Sequence, residues 1–315
     1  MSHYFVYILQ CADNTYYTGI TTDIERRIKE HNGEVKGGAK YTRIRTPVRL
    51  MYSEKCSNRS AATKREYEIK QLTHEQKRIM IDMDYLKFVQ NGIKKSPKKL
   101  DPRFDPTRYM GTNHTFLGVT NPEKHKLASV FKKQFPEISF DDLIKLLDRL
   151  NSGKTFEEKT IGPFILLKYS KHVSQIQPQH VDRWLMHLEG WCEIDTLCQS
   201  TFPPKVFLDK WNMWKKALTN WSKDKQISKR RASLVLLCKS VGGSADPRLK
   251  NLAFENINRL KLEKDILITK SISWILRSMI DNFKKDVTAY LDKNEDSLPK
   301  IAVRETRKKL LTGRK

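Results

Sequence analysis

Five residues in the first quarter of the chain could act together on a phosphodiester: Tyr7, Tyr17, Arg27, His31 and Glu66. Alternation along YFVYILQ (4–10) puts Phe5, Tyr7 and Leu9 on one strand face. A hairpin through Asp13-Asn14 would set Tyr17, in YYTGITTDIERRIKEHN (16–32), on the adjacent strand. Arg27 and His31 are four apart and share one face of the following helix, and Gly19 lets the chain turn between strand and helix. Glu66 falls mid-helix in AATKREYEIK. These types divide the work of phosphodiester cleavage. A carboxylate holds a divalent metal, a tyrosine or histidine handles a proton, and an arginine meets the phosphate charge. Taken singly, each residue reads as ordinary structure, with the tyrosines filling a core edge and Arg27 on a solvated face; the set in this order reads as a site.

A second set lies far downstream. Trp191 and Asp195 in GWCEIDTLC are four apart on one helix face. In TKSISWILRSM, Lys270, Trp274 and Arg277 also share a face, and SKRR (228–231) opens another helix with Arg230 and Arg231. Two tryptophans, a carboxylate and a basic surround would grip a phosphate backbone and cradle a cationic group. Trp184, Trp211, Trp214 and Trp221 read instead as packing between helices.

The elements that must hold these sets differ between the two halves. YFVYILQ, TYYTGI and VRLMYSE read as strands. Thr22-x-x-Glu25 reads as a capping box for the helix through His31, Ser60 opens a helix to about Leu72, and Thr73-x-x-Gln76 opens one more. NGIKKSPKKLDPRFDP (91–106) is basic and Pro-rich and reads as a linker. Beyond it the pattern is helical throughout, about ten helices with Asn121-Pro122 at one N-terminus, paired at a faint repeat that suggests a HEAT-like solenoid. The fold class is therefore multidomain: a small α+β domain (1–92), a basic linker (93–104) and an all-α solenoid (105–315).

Composition narrows the partners. Sixty Lys and Arg against 36 Asp and Glu give a net charge of +24 in 315 residues, an excess that calls for a polyanion. No apolar run is long enough to span a membrane, and MSHYFVYILQ has no basic segment ahead of its apolar part, so it does not read as a signal peptide. That leaves nucleic acid. Five scattered cysteines without a CxxC pair suit a reducing cytoplasm and argue against a disulfide framework or a zinc ribbon.

The first 85 residues resemble the GIY-YIG nucleases, and more narrowly their small stand-alone bacterial branch. FVY (5–7) and YTG (17–19) stand for the two family motifs, Phe5-Val6 replacing Gly-Ile, and YTGITTD, EHN, GAKYTR and REYEIKQLT follow in order. The resemblance implies a compact domain with a small central antiparallel sheet and flanking helices. It implies a cut using one metal, Mg²⁺ or Mn²⁺, with Glu66 as its ligand, Tyr7 and Tyr17 near the attacking water, and Arg27 on the phosphate. His31 falls where some members carry a catalytic histidine, and Lys40 in GAKYTR would contact DNA.

Residues 107–315 resemble the HEAT-like-repeat alkylpurine DNA glycosylases, through TRYMGTNHTFLGVTNPEK, GWCEIDTLC, KRRASLVLL and ITKSISWILR in order. This resemblance implies that Asp195 stabilises a positive sugar, that Trp191 and Trp274 flank the deoxyribose, and that Arg231 and Arg277 hold phosphates, with Arg230 and Lys270 as further DNA contacts. It implies no cofactor, and substrates made cationic by alkylation, such as N7-methylguanine and N3-methyladenine. Gly190 stands where a known member has a second tryptophan. Together the halves predict a cytoplasmic, nucleoid-associated bacterial DNA-repair enzyme. It would be a monomer acting on damaged or abasic double-stranded DNA, with no membrane partner, releasing alkylated bases and nicking the strand. The alternatives are a nuclease whose solenoid only binds DNA, and a helical scaffold for protein or RNA that aims the nuclease at RNA.

Overall fold

The structure, a computed structural model, describes residues 3–99, 101, 103–200 and 202–313, without the side chains of 82–84 and 200. It divides into two compact units, 1–91 with 133–142, and 92–132 with 143–315.

The first unit is built on three antiparallel strands, β1 (Tyr4–Gln10), β2 (Tyr16–Thr21) and β3 (Arg49–Cys56), in the order β2-β1-β3. Asp13 makes the β1–β2 turn, its carboxylate accepting from both the amide and the hydroxyl of Thr15, while Asn14 takes a left-handed φ of 63°. In the central strand Val6, Tyr7, Ile8 and Leu9 are all buried, because both sheet faces are covered. Tyr7 and Leu9 join Cys11 and Val48 in one cluster, with Tyr17, Ile28 and Leu50 packed against it. Four helices follow the strands: α1 (Ile24–His31), α2 (Lys40–Arg43), α3 (Arg59–Gln71) and α4 (His74–Lys95).

The N-caps differ from expectation at two of them. Asp23, not Thr22, caps α1, its carboxylate accepting from Arg26 N at 3.0 Å, since a charged oxygen at the positive helix end is favoured. Asn58, not Ser60, caps α3 through Ala61 N. The α4 box forms as expected, with Thr73 and Gln76 each accepting from the other's backbone amide. The expected linker also begins too early. Tyr85, Val89 and Ile93 recur every four residues and are buried, so the helix runs through them to Lys95. Beyond it Lys98 bridges to Val119, and Lys99 N bonds to Gly118 O at 2.8 Å.

The second unit is helical: α5 (Pro106–Met110), α6 (Asn121–Gln134), α7 (Phe140–Asn151), α8 (Phe156–Leu167), α9 (Ser170–Val173), α10 (Pro178–Leu185), α11 (Gly190–Ser200), α12 (Pro204–Leu208), α13 (Trp211–Trp221), α14 (Ile227–Gly243), α15 (Pro247–Leu260), α16 (Ile266–Asn294) and α17 (Lys300–Thr312). Among the described residues ten of these have eight or more residues, and no strand interrupts them. They form two layers. In one, α8, α11, α14, α16 and α17 pack in series; in the other, α10, α13 and α15 do. Helix α14 lies against both, which is why its residues from Arg231 to Cys238 are all buried. Of the four tryptophans read as packing, Trp184, Trp214 and Trp221 are buried, while Trp211 is half-buried beneath the Arg248 guanidinium.

Candidate active sites

In the first unit the strand register decides the site. Tyr17 on β2 stands opposite Leu9, and Gly19 stands opposite Tyr7, so both tyrosine rings share one face with centroids 6.3 Å apart. Gly19 must be glycine: a Cβ there would lie 2.6 Å from the Tyr7 hydroxyl oxygen. Helix α1 closes over this face. His31 Nε2 lies 2.8 Å from the Tyr7 hydroxyl, and Arg27 Nε donates to the same oxygen at 3.2 Å. The Tyr17 ring packs 4.9 Å from the His31 ring. Glu66, half-buried on α3, pairs with Lys70 at 2.7 Å and is close enough for its charge to act on Tyr7. The five residues thus converge, and Lys40 stands exposed at the start of α2.

The electrostatics follow from burial. Burial pushes the Tyr7 phenol up to about 12, against the pull of the Arg27 bond, so it stays protonated at neutral pH. Burial pushes His31 down to about 4, helped by the Arg27 charge and opposed by Glu30, so its imidazole is neutral. Burial works against the Arg27 charge, but its bonds to Glu30 and Tyr7 more than offset this and raise it above its ordinary value. Glu30 pairs with both Arg26 and Arg27, and Gly37 O accepts from Arg27 Nη1 at 2.8 Å. Glu30 and the buried Thr42, which takes the other His31 nitrogen at 2.7 Å, were not among the residues picked from sequence. The only signal for Thr42 was its place in GAKYTR.

Among the described residues no group of three or more His, Cys, Asp or Glu could hold a metal alone. The single carboxylate of Glu66 nevertheless fits a small hard cation of the Mg²⁺ type, which keeps much of its water and takes oxygens from a substrate phosphate.

In the second unit a cleft of about 750 Å³ is walled by Tyr109, Trp191, Ile266, Trp274 and Arg277, with Lys270 on its edge. Trp191 is half-buried, its indole N–H donating to Tyr109 O at 2.7 Å. Gly190 (φ 61°) lets this segment approach, since a Cβ there would lie 2.0 Å from Met110 O and 2.7 Å from Gly111 O; the 110–111 backbone leaves no room for a tryptophan there. Asp195 lies one turn after Trp191 and accepts two bonds from Arg231, at 2.9 and 2.8 Å. Burial pushes the Asp195 carboxyl up, and Arg231 opposes it.

Arg231 corrects the expectation of a phosphate grip. Its side chain is 4% exposed, and its third nitrogen bonds Leu267 O, so it faces Asp195 rather than a backbone. Arg230 is likewise engaged, with Glu263 and the carbonyls of Asp224 and Lys225. The sequence showed a basic cluster but not that its acidic partners sit on α11 (Asp195) and in the connection between α15 and α16 (Glu263). Arg277 lines the cleft, paired with Glu305 at 3.3 Å, and Lys270 is exposed.

The fold of the first unit and its site define a GIY-YIG catalytic domain, whose family model matches residues 3–79. The chain as a whole belongs to the DNA alkylation repair enzymes, whose family model matches residues 105–310. A UPF0213 protein of Desulfotalea psychrophila is 62% identical over 78 residues, 25% of this chain and 70% of that protein. Another, from Staphylococcus haemolyticus, is 50% identical over 82 residues, 26% of this chain and 98% of that one. A solved structure described as a predicted DNA alkylation repair enzyme from Enterococcus faecalis shares the helical fold. Its TM-score is 0.53 at 16% identity, covering 65% of this chain and 93% of its own. The chain therefore joins a nuclease-type domain to a DNA alkylation repair domain, both of which act on DNA. Among the described residues no helix is long and apolar enough to cross a membrane.

Proposed function

We propose that this protein releases cationic alkylated bases of the N7-methylguanine and N3-methyladenine type through its helical unit, and cuts the DNA backbone through the nuclease unit. The observation that carries the first activity is the cleft lined by Trp191, Trp274 and Arg231, with Asp195 paired to Arg231 behind that lining. Alkylation already weakens the glycosidic bond, so what remains is to stabilise the positive sugar as it breaks. Arg231 orients the Asp195 carboxylate and favours its charged form against the effect of burial, and a carboxylate keeps acceptor capacity beyond a bidentate arginine. The tryptophans exclude water and shape the wall around the sugar.

For the second activity, Tyr7 takes the proton of a water held against it while its own proton passes to Nε2 of His31, which is neutral and able to receive it. Arg27, pinned by Glu30 and Gly37 O, offsets the charge on the phosphate. Glu66 would hold Mg²⁺ or Mn²⁺, which when bound draws electron density from the phosphate oxygens. The partner in this account is damaged or abasic double-stranded DNA, met in the cytoplasm by a monomer.

One observation favours a second reading, in which the helical unit only binds DNA: with both oxygens taken by Arg231, the Asp195 pair carries no net charge. Asp195→Asn separates the two. As a glycosylase residue its loss costs about 3 kcal/mol in the transition state, slowing base release about a hundredfold, with DNA affinity kept. No release by the parent protein supports the binding reading; release unchanged in Asp195→Asn removes Asp195 from the chemistry instead.

A further inference from the structure

His31 can carry its single proton on either ring nitrogen, and only one form lets Tyr7 donate. The choice is made on the side of the ring away from Tyr7. Thr42 is fully buried on α2, and its hydroxyl donates to Ala39 O at 3.0 Å. A hydroxyl has one proton; with it on Ala39 O, the Thr42 oxygen accepts toward the ring and His31 Nδ1, at 2.7 Å, is the donor. Nε2 is then bare and accepts from the Tyr7 hydroxyl at 2.8 Å. Ala39 N–H points at the same Nδ1 from 3.5 Å, too long to compete with the bond to Thr42. It is, however, a donor in waiting for the opposite tautomer.

We propose that Thr42 is a positioning residue that fixes His31 in the Nδ1–H tautomer, and so makes Nε2 the acceptor of the Tyr7 proton. Without its hydroxyl, Nδ1–H has no acceptor. The ring then takes the Nε2–H form, Ala39 N–H bonds the bare Nδ1, and Nε2–H donates to the Tyr7 oxygen. Tyr7 can no longer hand its proton to His31. Ala39 O fixes the rotor of Thr42 in turn, so the order of donation runs from Tyr7 through His31 and Thr42 to the backbone. The role of the relay in cutting rests on the nuclease reading given above; the tautomer does not.

The test uses the full chain with ¹⁵N-labelled histidine, His31→Gln assigning the signal. Nitrogen shifts of His31 are read in the parent, Thr42→Val and Thr42→Ser. The parent should show protonated Nδ1 and bare Nε2, Thr42→Val the reverse, and Thr42→Ser the parent pattern. With Mg²⁺ and a branched or abasic duplex, Thr42→Val should lose about a hundredfold in kcat, the scale of a lost proton acceptor, with KM kept, and Thr42→Ser should recover it. A parent with protonated Nε2 overturns the proposal, as does Thr42→Val with protonated Nδ1. The expected tautomer exchange in a protein that cuts no DNA supports the role of Thr42 and overturns the nuclease reading instead.

Discussion

His31 behaves unlike a solvent histidine, and the difference is measurable. Burial holds it down to about 4, against about 6.5 in water. Cutting needs the neutral ring, so the acid limb of the rate should lie near 4, with a flat profile through the range where a free histidine titrates; a limb centred at 6.5 would contradict the buried relay. Stability shifts in the same window. The unfolded chain binds the proton first as pH falls below about 6.5, so this part of the folding free energy is lost progressively toward 4. Arg231 carries a different prediction. Arg231→Met would leave the Asp195 carboxylate, 13% exposed, without its partner. We expect a loss of about 3 kcal/mol or more by urea denaturation. A stability equal to the parent's would mean that Asp195 is wetter than its packing implies.

At the scale of elements, the sequence was most legible where a local rule decides. The β1–β2 hairpin, the placing of Tyr7 and Tyr17 on its adjacent strands and the Thr73–Gln76 box all follow from alternation, an Asp-Asn turn and a capping pattern, each confined to a few residues. The caps of α1 and α3 were misplaced by one or two positions because Thr22 and Ser60 compete with better acceptors next to them, Asp23 and Asn58. What a single sequence could not show was the far partner. Thr42 meets His31 across eleven positions, and Arg231 meets Asp195 across 36; neither distance carries a periodic signal. Gly190 is the clearest case. In the sequence it is a missing tryptophan, and in the fold it is the one residue type that lets Met110 O approach the start of α11. Gly190→Ala should therefore destabilise the helical unit by at least about 1 kcal/mol, through a left-handed φ and a contact no Cβ can make. A melting temperature unchanged from the parent's would show that the 108–111 segment yields.

The whole molecule carries a net charge of +24, which suits a protein whose two domains both act on DNA. Its two units are not simply successive. Residues 133–142 belong with the first, where Phe135 packs edge-on against Tyr85 at 4.8 Å and against Phe88 at 5.3 Å. A single cut near residue 92, which the basic, Pro-rich stretch invites, would strip this aromatic cover from α4, so activities are best measured on the full chain. The most direct test of the central claim is incubation with a duplex holding one N7-methylguanine, with Mg²⁺ and with a chelator, scoring free base and strand breaks separately. Base release in both conditions, with strand cutting only when the metal is present, is the predicted result. No free base in either condition would contradict the account.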